Sequence, residues 1–397
     1  MHRARRIGLA LALALALAVA QAAAAASGGS QARVPRGFVG VVLGTPLFPN
    51  VDPTLFLDDQ LNLMLSSGVQ SIRVPVDWAQ VQPYRRMSQV PSDQRYLFVQ
   101  AGGVPTNFSL IDQMVAEAAR RGMSLMPMII NAPGWDALKH THGGVVSIPR
   151  ADGPYARFLG ALVSRYGPNG TFWLSNTPVL PVRMWQIWNE PNLLPFWPKQ
   201  PWAQRYVGLL KAAHDAIKRV DPGARVILGG LPNYSWTSLQ KIYAIRGARR
   251  LFDVVAVHPY TKQPKGVITI LSFVRAVMNR SGDGRKPIVA DEVSWPSSLG
   301  KTVHNVGYDF ATTEAGQARD IAQLLPMLAK HRTTLRLQGF YWYTWASTEH
   351  INGLAFDFAG LLKYIPSSFQ FIPKPALTAF TNAALALEGC KPSTTIC

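Results

Sequence analysis

The sequence predicts a (β/α)8 TIM barrel, an α/β fold in which eight parallel strands close inside eight helices. Two observations carry this expectation. Short β-branched or apolar runs alternate with longer helical stretches eight times along the chain, and alternation of that kind requires a parallel sheet, which closes at eight units. In addition, no Gly-rich phosphate turn follows the first run, as it would in an open dinucleotide-binding sheet. The 397 residues are 48% hydrophobic and 16% charged, ample apolar content for one large core and far from a disordered or disulfide-stapled chain.

Phe38 to Leu43 is an apolar run and opens the barrel, followed by a first helix at Thr54 to Ser67. Gln70 to Pro75 and Ser124 to Ile130 are the second and third strands, separated by a helix at Ser109 to Arg121. A helix at Pro154 to Tyr166 leads to the fourth strand, Val182 to Trp188, and one at Pro201 to Val220 leads to the fifth, Ala224 to Gly229. The remaining units pair a helix at Ser235 to Ala248 with a strand at Asp253 to Val257, one at Val267 to Asn279 with Pro287 to Asp291, and one at Thr312 to His331 with Leu337 to Trp345. Pro375 to Leu387 is the closing helix. A bare barrel needs about 250 residues, so the surplus falls in long segments after the second, third, seventh and eighth strands. All four follow a strand, on the face where barrels keep their active sites, and are expected to build a cleft.

Ahead of the barrel, residues 1–26 are expected to be a signal peptide. His2, Arg3, Arg5 and Arg6 form a basic start, Leu9 to Ala20 an apolar run, and Ala22 to Ala26 supply small residues before Ser27. The alternative is an uncleaved anchor, since Ile7 to Ala26 is nearly long enough to span a bilayer. Residues 27–36 are a polar lead-in, 37–389 the barrel and 390–397 a tail. The tail holds both cysteines, Cys390 and Cys397, which in an exported chain could close a small loop. No later segment has the apolar length of a membrane helix, so the body is expected to be soluble and exported; a monomer is expected.

The formal charge is +18 and stays strongly basic without Arg3, Arg5 and Arg6. Such a balance favours anionic partners and says nothing of chemistry. No long Lys/Arg run and no zinc-finger, helix-turn-helix or RNP signature is present, so no nucleic-acid partner is expected. His140, His142, Asp136 and His304 lie in loops without a ligand motif such as H-E-x-x-H, so neither a metal nor another cofactor is expected.

Chemistry concentrates in two of the six glutamates. Glu190 and Glu292 fall where the fourth and seventh strands end, a location that in a barrel aims both carboxylates into one pocket. Pro191 ends the strand at Glu190, and Asn189 sets an amide beside it suited to a sugar hydroxyl. Asp291 and Glu292 are neighbours on a strand, whose side chains alternate between faces, so only one is expected to enter the pocket, and Glu292 matches its glutamate partner. Arg73, on the second strand, needs an acidic partner if buried, and Glu292 would supply it. His258 is read either as a satisfied strand-end histidine or as a substrate contact. Asn131 and Asn233 could reach the site or serve only as turn residues. Sugar rings present apolar C–H faces, so Trp78, Trp135, Trp188, Trp197, Trp295, Trp342 and Trp345, near strand ends, are candidate walls, with about half expected in the core alongside Trp185.

Ile187-Trp188-Asn189-Glu190-Pro191-Asn192 at the fourth strand end, a glutamate ending the seventh, Asp77-Trp78 after the second and His258-Pro259-Tyr260 after the sixth resemble the clan A retaining glycoside hydrolases. They are most similar to glycoside hydrolase family 39 and its relatives, from about Phe38 to Phe380. The resemblance implies Glu190 as acid/base, Glu292 as nucleophile, Arg73 as the partner that keeps Glu292 ionised, Tyr260 as placed to hydrogen-bond Glu292 and Trp345 as the platform under the cleaved sugar. It implies hydrolysis of a β-linked oligo- or polysaccharide, in which one carboxyl protonates the leaving oxygen and the other attacks the anomeric carbon. A non-catalytic saccharide-binding barrel and a transglycosylase are the alternatives.

Overall fold

A computed structural model describes residues 33–44, 47–48, 53–138, 145–302, 307–350 and 353–389. The expected leader, most of the lead-in, Cys390, Cys397, His140, His142 and His304 lie outside these residues. The barrel strands are β1 (Val39–Val42), β2 (Ser71–Asp77), β3 (Ser124–Ile130), β4 (Met184–Asn189), β5 (Arg225–Pro232), β6 (Val255–His258), β7 (Ile288–Val293) and β8 (Leu337–Trp342). The helices are α1 (Pro53–Ser66), α2 (Ser109–Arg120), α3 (Asp152–Tyr166), α4 (Trp202–Val220), α5 (Ser235–Tyr243), α6 (Pro264–Arg280), α7 (Glu314–Leu335) and α8 (Pro375–Glu388). Every strand pairs in parallel with its neighbours in sequence, and β1 pairs with β8, so the sheet closes. The chain is a (β/α)8 barrel.

The main core lies between strands and helices, where α3 packs on α4 and α7 on α8. Alternation along each strand supplies its inner and outer faces. Inside the barrel a separate small cluster holds Val42, Met126, Ile227, Val254, Ala256, Val289 and Tyr341. Beside it the lumen is polar, with Arg73, Gln186, His258 and Asp291 no more than 1% exposed. Barrel interiors are ordinarily filled by branched apolar residues, so this buried polar group needs a reason other than packing.

The expected elements recur with small shifts at their ends. α7 runs to Leu335 rather than His331 and stops where Arg336 turns left-handed (φ 48); its start is capped by Thr313, whose side chain accepts from the Gly316 N–H. α5 ends at Tyr243, and Ala248–Arg250 forms a separate turn. β8 stops at Trp342, although Thr344 Oγ1 still donates to the Val42 carbonyl at 2.8 Å. Two additions occupy the long segments. A hairpin, Val99–Ala101 with Val104–Thr106, follows β2 and turns on Gly102 and Gly103, both at positive φ. A three-stranded sheet, Ala346–Ser347, Leu362–Ile365 and Gln370–Pro373, follows β8. No helix among the described residues is long and apolar enough to cross a membrane.

Candidate active site

Six of the expected site residues meet at the C-terminal mouth of the barrel. Arg73 of β2 is the hub. Its Nη1 donates to Glu292 Oε1 at 2.6 Å, its Nη2 to Asn189 Oδ1 at 2.7 Å and its Nε to Gln186 Oε1 at 2.6 Å. A guanidinium can only donate, so Asn189 must turn its oxygen inward and its amide nitrogen the other way. The Tyr260 hydroxyl donates to Glu292 Oε2 at 2.9 Å, and its ring is braced by Phe310 and Phe356 at 5.8 and 4.9 Å. His258 Nδ1 lies 2.8 Å from Glu190 Oε1 and 3.4 Å from Glu292 Oε2, and its Nε2 lies 3.3 Å from Asp291 Oδ2. Of the two readings of His258, the satisfied internal histidine is the one observed, because the ring is 0% exposed.

The backbone departs from regular strand geometry to make this possible. At the end of β4, Trp188 and the next residue but one, Glu190, both have positive φ, 72° and 42°, a region that costs non-glycine residues about 1–3 kcal/mol each. The twist breaks alternation. Gln186, Asn189 and Glu190 all join the polar group, while the Trp188 ring turns away to pack on Trp197 and Tyr155. In β7 the register against β8 slips between Ala290 and Val293, where the partner strand advances only from Phe340 to Trp342. That extra residue is a β-bulge, and bulges re-aim side chains.

The bulge overturns one expectation. Asp291 and Glu292 do not point to opposite faces; both reach Arg73, at 3.4 and 2.6 Å. Alternation fails as a criterion wherever a strand carries an extra residue. Gln186 was also missed, although an amide within an apolar run was a usable signal. Phe310 and Phe356 come from loops that carry no such signal.

The tryptophan walls are a second correction. Trp78, Trp188, Trp197, Trp295, Trp342 and Trp345 are each at most 1% exposed, as is Trp185. Several of their indole N–H groups are satisfied internally, Trp78 by Gln82, Trp295 by the Thr261 carbonyl and Trp345 by Gln60, while those of Trp185 and Trp197 are buried without a hydrogen-bond partner. Trp345 therefore leaves no face free as a sugar platform, and only Trp135 of the seven is partly open. Asn131 is a turn residue. At φ 64 it donates to both Asp77 carboxylate oxygens and accepts from the Ser147 N–H, joining the segments after β2 and β3. Asn233, exposed at φ 54, is likewise a turn.

Charge is balanced within this enclosure. Burial works against the Arg73 cation, but Glu292 and Asp291 hold its pKa above the ordinary value. Burial would raise Asp291, yet His258 and Arg73 bring it below the usual carboxylate range. Burial also opposes the His258 cation, and the charges of Glu292 and Asp291 with the hydrogen bonds to Asp291 and Glu190 nevertheless push it up to about 10. Glu190 is raised by burial, with Glu292 adding to the rise and His258 opposing it. One atom each of Glu190, His258 and Glu292 lie within 4.8 Å of one another, a spacing a cation could bridge. Both imidazole nitrogens already face carboxylates, however, so a metal would have to displace one of them.

Gly230 of β5 makes room for the imidazole. A Cβ there would sit 1.8 Å from His258 Nε2, and the ring has no exit between Glu190 and Asp291. Gly230→Ala is expected to cost about 1–3 kcal/mol from overpacking alone, seen as a lower urea midpoint with an unchanged slope.

No family model and no curated protein matches the sequence. Solved structures do match. A family 39 glycoside hydrolase from the gut symbiont Bacteroides cellulosilyticus WH2 superposes with a TM-score of 0.61 at 18% identity, over 89% of this chain and 64% of that one. The chain thus spans less than two thirds of that protein. A monomeric β-xylosidase from Caulobacter crescentus CB15 gives 0.58 at 18% identity, covering 88% and 69% of the two chains. A family 51 α-L-arabinofuranosidase from Bifidobacterium longum gives 0.58 at 16%, covering 89% and 75%. At these identities the likeness establishes a shared barrel fold.

Proposed function

We propose that the protein is an exported retaining glycoside hydrolase acting on a β-linked oligo- or polysaccharide. The observation that carries this reading is the approach of Glu190 and Glu292 at the barrel mouth, where one carboxylate oxygen of each lies within 4.8 Å of the other. Retaining enzymes hold their two carboxyl groups about 5–5.5 Å apart, whereas inverting ones leave about 6.5–9.5 Å for a water. The fold shared with glycoside hydrolases of families 39 and 51 supports the same reading.

In the first step Glu190 gives its proton to the glycosidic oxygen as that bond breaks, and Glu292 forms a bond to the anomeric carbon. Arg73 and Tyr260 hold Glu292 by one oxygen each, fixing the attacking carboxylate. Burial raises the pKa of Glu190 in the direction this role needs, against the opposing pull of His258. Once Glu292 is esterified its charge is gone, Glu190 loses that upward push, and it can take a proton from the water that releases the sugar. Net retention follows from two inversions.

Nuclear magnetic resonance of the first-formed product from a β-glycoside should show the β-anomer. The α-anomer first, or no hydrolysis across aryl glycosides and polysaccharides, would refute the reading. The formal charge of +18 favours an acidic polymer, so uronate-containing substrates should outperform neutral ones at low salt and lose that advantage as salt rises. Glu190→Gln is expected to slow substrates with poor leaving groups by about 10²–10⁴-fold and activated aryl glycosides far less; equal losses on both would count against its role as acid.

A further inference from the structure

Asp291 takes no part in the two displacements, yet it is the most enclosed acid at the site. It is 0% exposed. Its Oδ2 accepts from Gln186 Nε2 at 2.6 Å and lies 3.3 Å from His258 Nε2 and 3.4 Å from Arg73 Nε. A carboxylate removed from water to this degree persists only where cations compensate it. Across the same imidazole, Nδ1 faces Glu190 Oε1 at 2.8 Å. Both ring nitrogens therefore meet carboxyl oxygens. An imidazole can donate from both only when it carries both protons.

The geometry points to Asp291 as a positioning residue that holds His258 in its doubly protonated form, so that the ring fixes the carboxyl of Glu190. The inference rests on Glu190 being the acid/base of the proposed reaction. The ions then balance: Arg73 and His258 offset Asp291 and Glu292, and Glu190 is the one carboxyl left to keep its proton. The groups that face His258 are Glu190 at the end of β4, Asp291 and Glu292 of β7, Arg73 of β2 behind them, and the Tyr260 ring at 6.2 Å. Tyr343 adds a phenol near both glutamates.

Removing the charge of Asp291 withdraws the counter-ion on one side of the imidazole, which then sheds a proton at lower pH. A neutral ring no longer opposes the rise of Glu190. The alkaline limb of the pH–rate profile, set by loss of the Glu190 proton, should consequently move up by on the order of one pH unit, and kcat on poor leaving groups should fall by up to about 10²-fold as the carboxyl loses its fixed orientation.

The test uses the full chain labelled with ¹⁵N-histidine, with the His258 signal assigned by its loss in His258→Asn. The wild-type signal should be that of an imidazolium through pH 8, and Asp291→Asn should convert it to a neutral ring by pH 8, with the alkaline limb displaced upward. A neutral ring in the wild type at pH 7, or an unchanged His258 titration in Asp291→Asn, would overturn the inference. If that variant does not fold, the wild-type titration decides. The ring's protonation is read without substrate, so a wild type that hydrolyses nothing while Asp291→Asn still neutralises His258 would refute the hydrolase reading and leave the Asp291–His258 link standing. A ring that changes while the pH–rate profile stays fixed would refute the coupling to Glu190.

Discussion

Glu292→Ala is expected to lower kcat/KM on β-aryl glycosides by at least about 10⁴-fold, because a nucleophile removed from a set that acts as a unit takes most of the catalysis with it. The variant leaves a gap where Oε1 met Arg73 and Oε2 met Tyr260. A small anion can enter that gap from the same face, so added azide should restore turnover of activated substrates and yield the α-glycosyl azide, inverted relative to the substrate. Product identified by nuclear magnetic resonance decides the matter. Unaltered turnover in Glu292→Ala would remove this residue as the nucleophile, and a rescued product of retained configuration would contradict direct displacement from its position.

Arg73→Leu should produce the largest loss of stability of any single change at the site. The guanidinium is 1% exposed and holds Glu292, Asn189 and Gln186 at once, with Asp291 at 3.4 Å. Its removal leaves buried carboxylates without their cation, a loss worth about 3–5 kcal/mol. For a chain of this size the midpoint of thermal unfolding should drop by roughly 4–6 °C. The sign of the pH response is informative. With the cation gone the remaining carboxylates are more easily tolerated when protonated, so the deficit relative to wild type should shrink as pH falls. A deficit that is constant between pH 4 and 8 would mean that Arg73 contributes packing rather than charge.

Both predictions start from residues visible in the primary chain, and the reason is local. The run that ends Asn189-Glu190-Pro191 announces a strand end because proline cannot continue the ladder, and eightfold alternation of apolar runs with helical stretches fixes which ends share a mouth. Arg73 was legible because a cation inside an apolar strand must find an acid. What could not be read was departure from regularity. Nothing in Pro287 to Val293 signals the slip against β8, so strict alternation wrongly separated Asp291 from Glu292. Nothing in the spacing of the tryptophans says that Trp78, Trp188, Trp197, Trp295, Trp342 and Trp345 are closed off inside the fold, which makes the rings packing instead of walls. The Gly102-Gly103 hairpin was within reach of turn chemistry; the three-stranded sheet after β8 depends on pairing across a long segment and was not.

The slip in β7 also constrains how such a centre can be transplanted or lost. Asp291 and Glu292 together lie between Ala290 and Val293 where β8 has Tyr341 alone, so shortening β7 to match its partner would cost one of the two acids that reach Arg73. Grafting Glu292 onto another scaffold without that extra residue would deliver a carboxylate whose neighbour beneath is missing.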